Sequence, residues 1–187
     1  MHVQTHIMSG WCVGNLFALN PRERLFCMFA SAFADLDGLT LAFGWDAYRD
    51  YHHVLGHNLP FAILLTTALT IFSTHRLKAA TLYFSLFHLH LGLDYFGSGP
   101  LWKIYYLWPF SNWSVMYRGA WEFFSWQNIS TAIAFLAWTI WIAVRHGRTP
   151  LEAIMPGLDR QLVDWLRAKL TRGRNVALAT AEQPGNP

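Results

Sequence analysis

The sequence predicts an all-α fold: a membrane-associated bundle of about five helices with a metal site at one end, plus a C-terminal amphipathic helix. Three observations favour this fold. Apolar segments of helical length are separated by turns that carry helix-capping residues. Of the 187 residues, 53% are hydrophobic and only 13% are charged, whereas an average soluble domain has about 25% charged residues. The chain has nine histidines beside only 14 Lys and Arg and 11 Asp and Glu residues. This number of histidines is high relative to the charged residues and requires an explanation.

Composition also suggests how the chain is organised. We expect the helical domain in residues 1–150, a basic amphipathic helix in residues 151–172 and a disordered tail in residues 173–187. Cys12 and Cys27 lie in apolar segments and form neither a disulfide framework nor a CxxC site. The basic residues do not form a patch, so we expect no nucleic-acid partner at the site.

The first two helices are predicted from glycine spacing and from a capping motif. Residues 5–19 are mostly apolar, and Gly10 and Gly14 have the G-x-x-x-G spacing that allows another helix to approach closely. The motif Asn-Pro-Arg-Glu at 20–23 combines an N-cap, a proline at the first helical position and a capping-box glutamate. A second helix therefore begins there.

This second helix ends at two acidic residues, Asp35 and Asp37, followed by Gly38. Acidic side chains at a helix C-terminus oppose the helix dipole and lower stability. A bound cation would remove that penalty. A solvated Asp-Gly turn is the alternative, and it explains one aspartate better than it explains both.

A histidine-rich loop precedes the third helix. Residues 39–56 form a polar, aromatic segment that contains His52 and His53 and leads into His57. Three histidines within six residues are a stronger indication of metal binding than a single histidine. A capping asparagine and a first-turn proline then begin a helix predicted over residues 59–74.

The fourth helix, residues 79–94, carries His90 and Asp94 near its end. These residues are four apart, so they share one helix face. A neutral imidazole and a carboxylate on one face suit a divalent metal, although a buried histidine paired with its own carboxylate has the same pattern. His88 points to a different face and is interpreted as a core residue or as support for a ligand.

The rest of the chain is predicted to contain an aromatic connection and two more helices. Residues 95–122 are rich in Trp and Tyr, as at membrane–water interfaces; an aromatic mini-core under a lid is the alternative. Residues 123–144 are uncharged and long enough to span a bilayer. Residues 158–170 have leucine at every fourth position among basic residues, which indicates an amphipathic helix on a membrane surface or on the bundle.

Threading the first four helices alternately up and down places all candidate ligands at one end of the bundle. The opposite end is basic, so the positive-inside rule predicts that the site lies on the non-cytoplasmic side of a multi-pass inner-membrane protein. Only residues 123–144 exceed the roughly 20 apolar residues of a spanning helix. Either the site lies in a thinned interface, or some helices are core helices of a peripheral protein.

The ordered motifs resemble those of the membrane-bound metal-dependent hydrolases, also described as LexA-binding, inner-membrane-associated hydrolases. The resemblance covers roughly residues 5–112. The matching pieces are His6-x-x-x-Gly10, Asp35-Leu36-Asp37, His52 with His57, His90-Leu91-Gly92-Leu93-Asp94, and Gly97 with Leu107-Trp108-Pro109-Phe110-Ser111. The chain departs from the family pattern at Ala34, His53, Val54 and Asn58.

The family is distantly similar to zinc-dependent phospholipases C and related single-strand nucleases, helical proteins whose His and Asp side chains hold zinc ions. The resemblance implies two groups of ligands. Asp37, His52 or His57, His90 and Asp94 would surround one ion, and His6 with a bridging Asp94 would hold a second. Glu122 and His146 are poor ligands for a third ion, so we expect one or two divalent ions, with zinc the expected metal.

These features predict a metal-dependent hydrolase that acts in the membrane on a phosphoester or lipid-like substrate. Asp35, outside the implied ligand set, would orient or deprotonate the attacking water. Membrane lipid is the expected partner, and the sequence indicates no particular protein partner. The alternative is a non-catalytic metal-binding membrane scaffold or a metal-handling protein. Transport is disfavoured because the middle of residues 59–74 offers only Thr66, Thr67 and Thr70 as polar groups.

Overall fold

The computed structural model describes the backbone of residues 1–181 and the side chains of residues 1–171. Over that part of the chain it contains seven α-helices and no strand, which confirms the all-α prediction. The α-helices are α1 (Val3–Gly14), α2 (Pro21–Ala32), α3 (Trp45–Tyr51), α4 (Leu59–Ile71), α5 (Arg76–Gly97), α6 (Trp126–His146) and α7 (Pro156–Ala181). A 3₁₀ helix, Phe33–Phe43, follows α2 directly.

The segment predicted as a polar loop is more ordered than the sequence suggests. The 3₁₀ helix continues from α2 to Gly44, whose φ of 108° allows the chain to turn into α3. Two helical segments, Pro21–Phe43 and Trp126–His146, are long and apolar enough to cross a membrane by length and composition. The sequence predicts only the second of them, because the 3₁₀ continuation of α2 is not visible in the apolar pattern.

The chain divides into two compact units, and the boundary falls after Leu136, inside α6; the sequence predicts a boundary at residue 150. In the first unit, α1 packs closely on α2 because Gly10 has no side chain. A Cβ atom there would overlap the carbonyl oxygen of Cys27 and lie 2.8 Å from the Cβ of Ser31. The G-x-x-x-G spacing therefore does bring a second helix close to α1.

The core of the first unit lies between α2, α4 and α5. Its fully buried members are mostly small on α2 and larger on α5, so the helices interlock. They include Cys27, Ala30, Ala34, Ala62, Tyr83, Leu86 and Phe87. This apolar layer lies directly beneath the polar ends of the same helices.

The second unit contains the end of α6 and all of α7. Asp159, in the first turn of α7, accepts a hydrogen bond of 2.6 Å from the backbone N–H of Thr149. Val163 is buried, whereas Leu158 and Leu170 are exposed, so part of the predicted apolar stripe is uncovered. Residues 173–181 of the predicted tail belong to α7, and residues 182–187 lie outside the described part of the chain.

Candidate metal centre

Four separate segments bring acidic and imidazole side chains together at one end of the first unit. They are the start of α1, the 3₁₀ helix, the loop between α3 and α4, and the last turns of α5. The residues that meet there are His6, Asp35, Asp37, His52, His53, His57, His90 and Asp94. All seven site residues selected from the sequence are in this cluster, and the structure adds His53.

The centre of the cluster is formed by three electron-rich atoms. The Nε2 atoms of His57 and His90 are 3.0 Å apart, and Oδ2 of Asp94 lies 3.2 Å from the first and 3.0 Å from the second. His90 Nδ1 donates to the carbonyl oxygen of Ser31 at 2.9 Å. A carbonyl can only accept, so the lone pair of neutral His90 is on Nε2 and points into the cluster.

His57 is oriented in the same way by a carboxylate. Its Nδ1 lies 2.9 Å from Oδ2 of Asp37, so Nδ1 carries the proton and Nε2 faces His90. When His57 is neutral, two imidazole lone pairs and a carboxylate oxygen therefore converge on one point. A positive charge placed among them, on a proton or on a metal ion, balances this arrangement.

Asp35 and Asp94 each face two groups of imidazoles. Oδ1 of Asp35 lies 3.7 Å from Nε2 of both His57 and His90, and its Oδ2 lies 3.9 Å from Nε2 of His6. Oδ1 of Asp94 lies 3.1 Å from the same His6 atom. Each carboxylate thus presents one oxygen to each side, which is the arrangement of carboxylates that bridge two ions.

Asp37 has a different environment from Asp35. Its carboxylate accepts hydrogen bonds of 3.0 Å from the backbone N–H groups of His53 and Gly56. It also holds Nδ1 of His52 at 2.6 Å and Nδ1 of His57 at 2.9 Å. Asp35 therefore faces the converging Nε2 atoms of His57 and His90, whereas Asp37 holds the Nδ1 atoms of His52 and His57.

The cluster is buried, and its charges affect one another. His6, His57 and His90 have no exposed surface, and Asp94 is 3% exposed. Burial alone would lower the pKa of His57, but its hydrogen bonds with Asp37 and Asp94 outweigh this effect and raise that pKa to about 10. The surroundings of His57 Nε2 therefore stabilise positive charge, whether it is carried by a proton or by a metal ion.

A cavity of about 760 Å³ opens onto the cluster. Asp35, His52 and His53 are among its polar lining residues. Apolar and aromatic side chains form most of its remaining lining: Leu39, Leu41, Trp45, Trp102, Phe123 and Phe124. The ring of Trp102 lies 5.2 Å from the ring of His52 and 5.4 Å from that of His53. The aromatic connection predicted after α5 therefore covers this side of the cluster.

His53 was not selected from the sequence. Its side chain is buried in the cluster and lies 3.9 Å from Asp94, measured from Nε2 to Oδ2. The available signal was its place among three histidines in six residues. Its left-handed backbone, with a φ of 68°, could not be predicted from the local sequence.

Comparison with known protein families gives one match. The model of a family described as YdjM inner membrane protein matches residues 1–158. Searches of curated proteins and of solved structures gave no match. The matched region includes every residue of the cluster, and the resemblance inferred from the sequence motifs is confirmed. The chain belongs to the YdjM inner membrane protein family, which is the family of LexA-binding membrane-bound metal-dependent hydrolases.

Proposed function

We propose that this chain is a metal-dependent hydrolase with a two-ion centre, that zinc is its metal and that it acts on a phosphoester at the membrane. One observation carries the proposal. Nε2 of His57, Nε2 of His90 and Oδ2 of Asp94 lie within 3.2 Å of one another in a buried site. Such convergence favours a positive charge at its centre, and imidazole with carboxylate is a ligand set that zinc accepts.

The distances support two groups of ligands. His57 and His90, with one oxygen each from Asp35 and Asp94, would hold the first ion. His6 and Oδ1 of Asp94, 3.1 Å apart, would hold the second, and Oδ2 of Asp35 stays outside both groups of ligands. Asp37 would keep the Nδ1 proton of His57 in place, so that Nε2 remains available as a ligand.

The side chains of the cluster also support a hydrolytic role. Divalent ions held there would supply Lewis acidity, which activates water and stabilises charge on a phosphoryl oxygen. Asp35 lines the cavity, and its Oδ2 has no hydrogen-bond partner among the described residues. We assign Oδ2 of Asp35 to orient the attacking water and accept its proton. The water oxygen then replaces the ester oxygen on phosphorus, and a proton goes to the leaving alcohol.

The cavity supports a lipid-like substrate. Its polar part lies at the cluster, whereas Leu39, Leu41, Phe123 and Phe124 provide apolar walls. An acyl chain can lie along such walls while the phosphoester of the head group reaches Asp35. The family is an inner-membrane family, so phospholipids are available at this cavity.

The test combines metal analysis with a hydrolysis assay on protein purified in detergent. We expect the wild-type chain to retain zinc and to hydrolyse a chromogenic phosphodiester or phospholipid vesicles. Asp94→Asn, which removes a charge facing both ions, should lose both properties. Asp46→Asn is the matched control, because the Asp46 side chain is 86% exposed on α3 and pairs with Arg49. Wild-type protein that binds no divalent ion would refute the centre, and bound zinc without hydrolysis of either substrate would favour a scaffold.

A further inference from the structure

His53 lies beside the first group of ligands without an evident structural role for its imidazole. The side chain is 3% exposed, and Nδ1 has no hydrogen-bond partner in the described part of the chain. Its ring is stacked on that of His57, with the centroids 4.2 Å apart and the planes 23° apart. A buried imidazole normally makes hydrogen bonds, so hydrogen bonding at Nδ1 does not explain why this ring is buried here.

The backbone of His53 is held in an uncommon conformation that directs the side chain into the cluster. Its φ of 68° lies in the left-handed region, which glycine or asparagine adopts more readily. The backbone N–H of His53 is fixed by its hydrogen bond to Oδ2 of Asp37. Any residue that tolerates this φ could make that bond. The backbone contact therefore does not explain why an imidazole is buried here.

The distance between His53 and Asp94 fits two ligands of one ion. Nε2 of His53 lies 3.9 Å from Oδ2 of Asp94, too far for a hydrogen bond. Two donor atoms that each lie about 2.0–2.1 Å from a zinc ion are roughly 3–4 Å apart. The same Asp94 oxygen faces His57 and His90, so all three imidazoles surround one side of this carboxylate.

We propose that His53 is a further metal ligand, which supplies a third imidazole to the ion assigned to His57, His90 and Asp94. This inference rests on the two-ion centre proposed above and goes beyond the ligands assigned there. With His53 as a ligand, the two ion positions differ in their number of imidazole ligands. The first ion has three imidazoles, whereas the second has only that of His6, and the first position therefore binds metal more tightly.

Cobalt titration of the full-length chain tests this assignment, because the visible spectrum of bound Co²⁺ reports its ligands independently of catalysis. His53→Asn and His53→Gly both remove the imidazole and tolerate the left-handed backbone. For either variant, we expect the affinity for the more tightly bound Co²⁺ to fall roughly tenfold or more relative to wild type. The visible spectrum of the bound Co²⁺ should also change.

His88→Asn is the matched control. His88 has both ring nitrogens occupied, by the carbonyl oxygen of Phe84 and the hydroxyl of Tyr106, each at 2.8 Å. This variant should bind Co²⁺ with the wild-type spectrum and affinity. Unchanged spectra and affinities in folded His53 variants, with normal cobalt binding by the wild type, would overturn the His53 assignment alone. A wild type that binds no Co²⁺ would overturn the centre as well.

Discussion

At the scale of single residues, Asp37 illustrates a carboxylate that can serve a metal centre without contacting the ion. Its oxygens accept four hydrogen bonds, two from backbone N–H groups and two from imidazole Nδ1 atoms. These bonds fix the ring of His57 and leave its Nε2 directed at His90. Supporting groups of this kind commonly affect metal affinity about 10- to 100-fold.

We predict that Asp37→Asn weakens zinc binding without removing a binding position. Asparagine has one acceptor oxygen where aspartate has two, so it cannot accept hydrogen bonds from both imidazoles and both N–H groups. The ring of His57 is therefore held less firmly. The expected result is an affinity about 10- to 100-fold lower, with unchanged stoichiometry at saturating zinc, measured by competition with a chromogenic chelator. If Asp37→Asn loses zinc completely, as expected of Asp94→Asn, Asp37 is itself a ligand.

The sequence predicted every residue of the cluster except His53, but it could not distinguish the environments of Asp35 and Asp37. Both follow the apolar part of α2, and both suit a cation. The difference arises in the 3₁₀ helix, where Asp37 turns toward the N–H groups of His53 and Gly56. Those donors are distant in the chain, and no local spacing predicts their position.

At the scale of helices, the contact between α1 and α2 positions His6. Gly10 lies one turn after His6 on α1 and meets the backbone of Cys27 on α2. This close approach brings the start of α1 to Asp35, whose Oδ2 is 3.9 Å from Nε2 of His6. The helix spacing and the proposed second ion position therefore depend on the same glycine.

We predict that Gly10→Ala separates these helices and destabilises the protein. The added Cβ overlaps the carbonyl oxygen of Cys27, and such overpacking costs about 1–3 kcal/mol. Gly92→Ala is the matched control on α5, where a Cβ meets nothing within 4 Å and should be neutral or stabilise the helix by up to about 1 kcal/mol. Unfolding in detergent, followed by circular dichroism, measures both. Equal stability of the two variants would contradict the packing explanation.

Local capping was predictable, whereas the 3₁₀ helix was not. The Asn20–Glu23 capping box is present, and the side chain of Asn58 caps α4, because such motifs depend on a few adjacent residues. A 3₁₀ helix of 11 residues is uncommon. Its first half is held by hydrogen bonds to Asp37 from the backbone N–H groups of His53 and Gly56, which are distant in the sequence. No local signal in the sequence therefore reveals this helix.

At the scale of the whole molecule, exposed apolar side chains lie around the cavity. Five large residues of this kind are 52–87% exposed: Leu39, Leu41, Phe43, Trp45 and Phe124. Large contiguous apolar patches exposed to water are uncommon in soluble proteins. Together with membership of an inner-membrane family, they support a position of the cavity at the membrane–water interface.

We predict that this cavity lies on the non-cytoplasmic side. Arg22, Arg76 and Lys78 lie at the starts of α2 and α5, the ends opposite the cluster, and basic ends of membrane helices remain cytoplasmic. A green fluorescent reporter fused after Arg148 should be fluorescent, and alkaline phosphatase fused after Leu101 should be active. Each reporter should also be fused at the other position as a control. If phosphatase is active only after Arg148, and the fluorescent reporter is fluorescent only after Leu101, the orientation is the opposite of the one predicted.

The shared carboxylates have a consequence for how a cell would control this protein. Asp35 and Asp94 face both proposed positions, so an ion that arrived first would draw their charge and change the attraction felt by the next. In the proposed two-ion centre, the position beside His6 would fill last and empty first. Turnover would follow the supply of that last ion, and a bacterium short of zinc would hold a full complement of folded but idle chains.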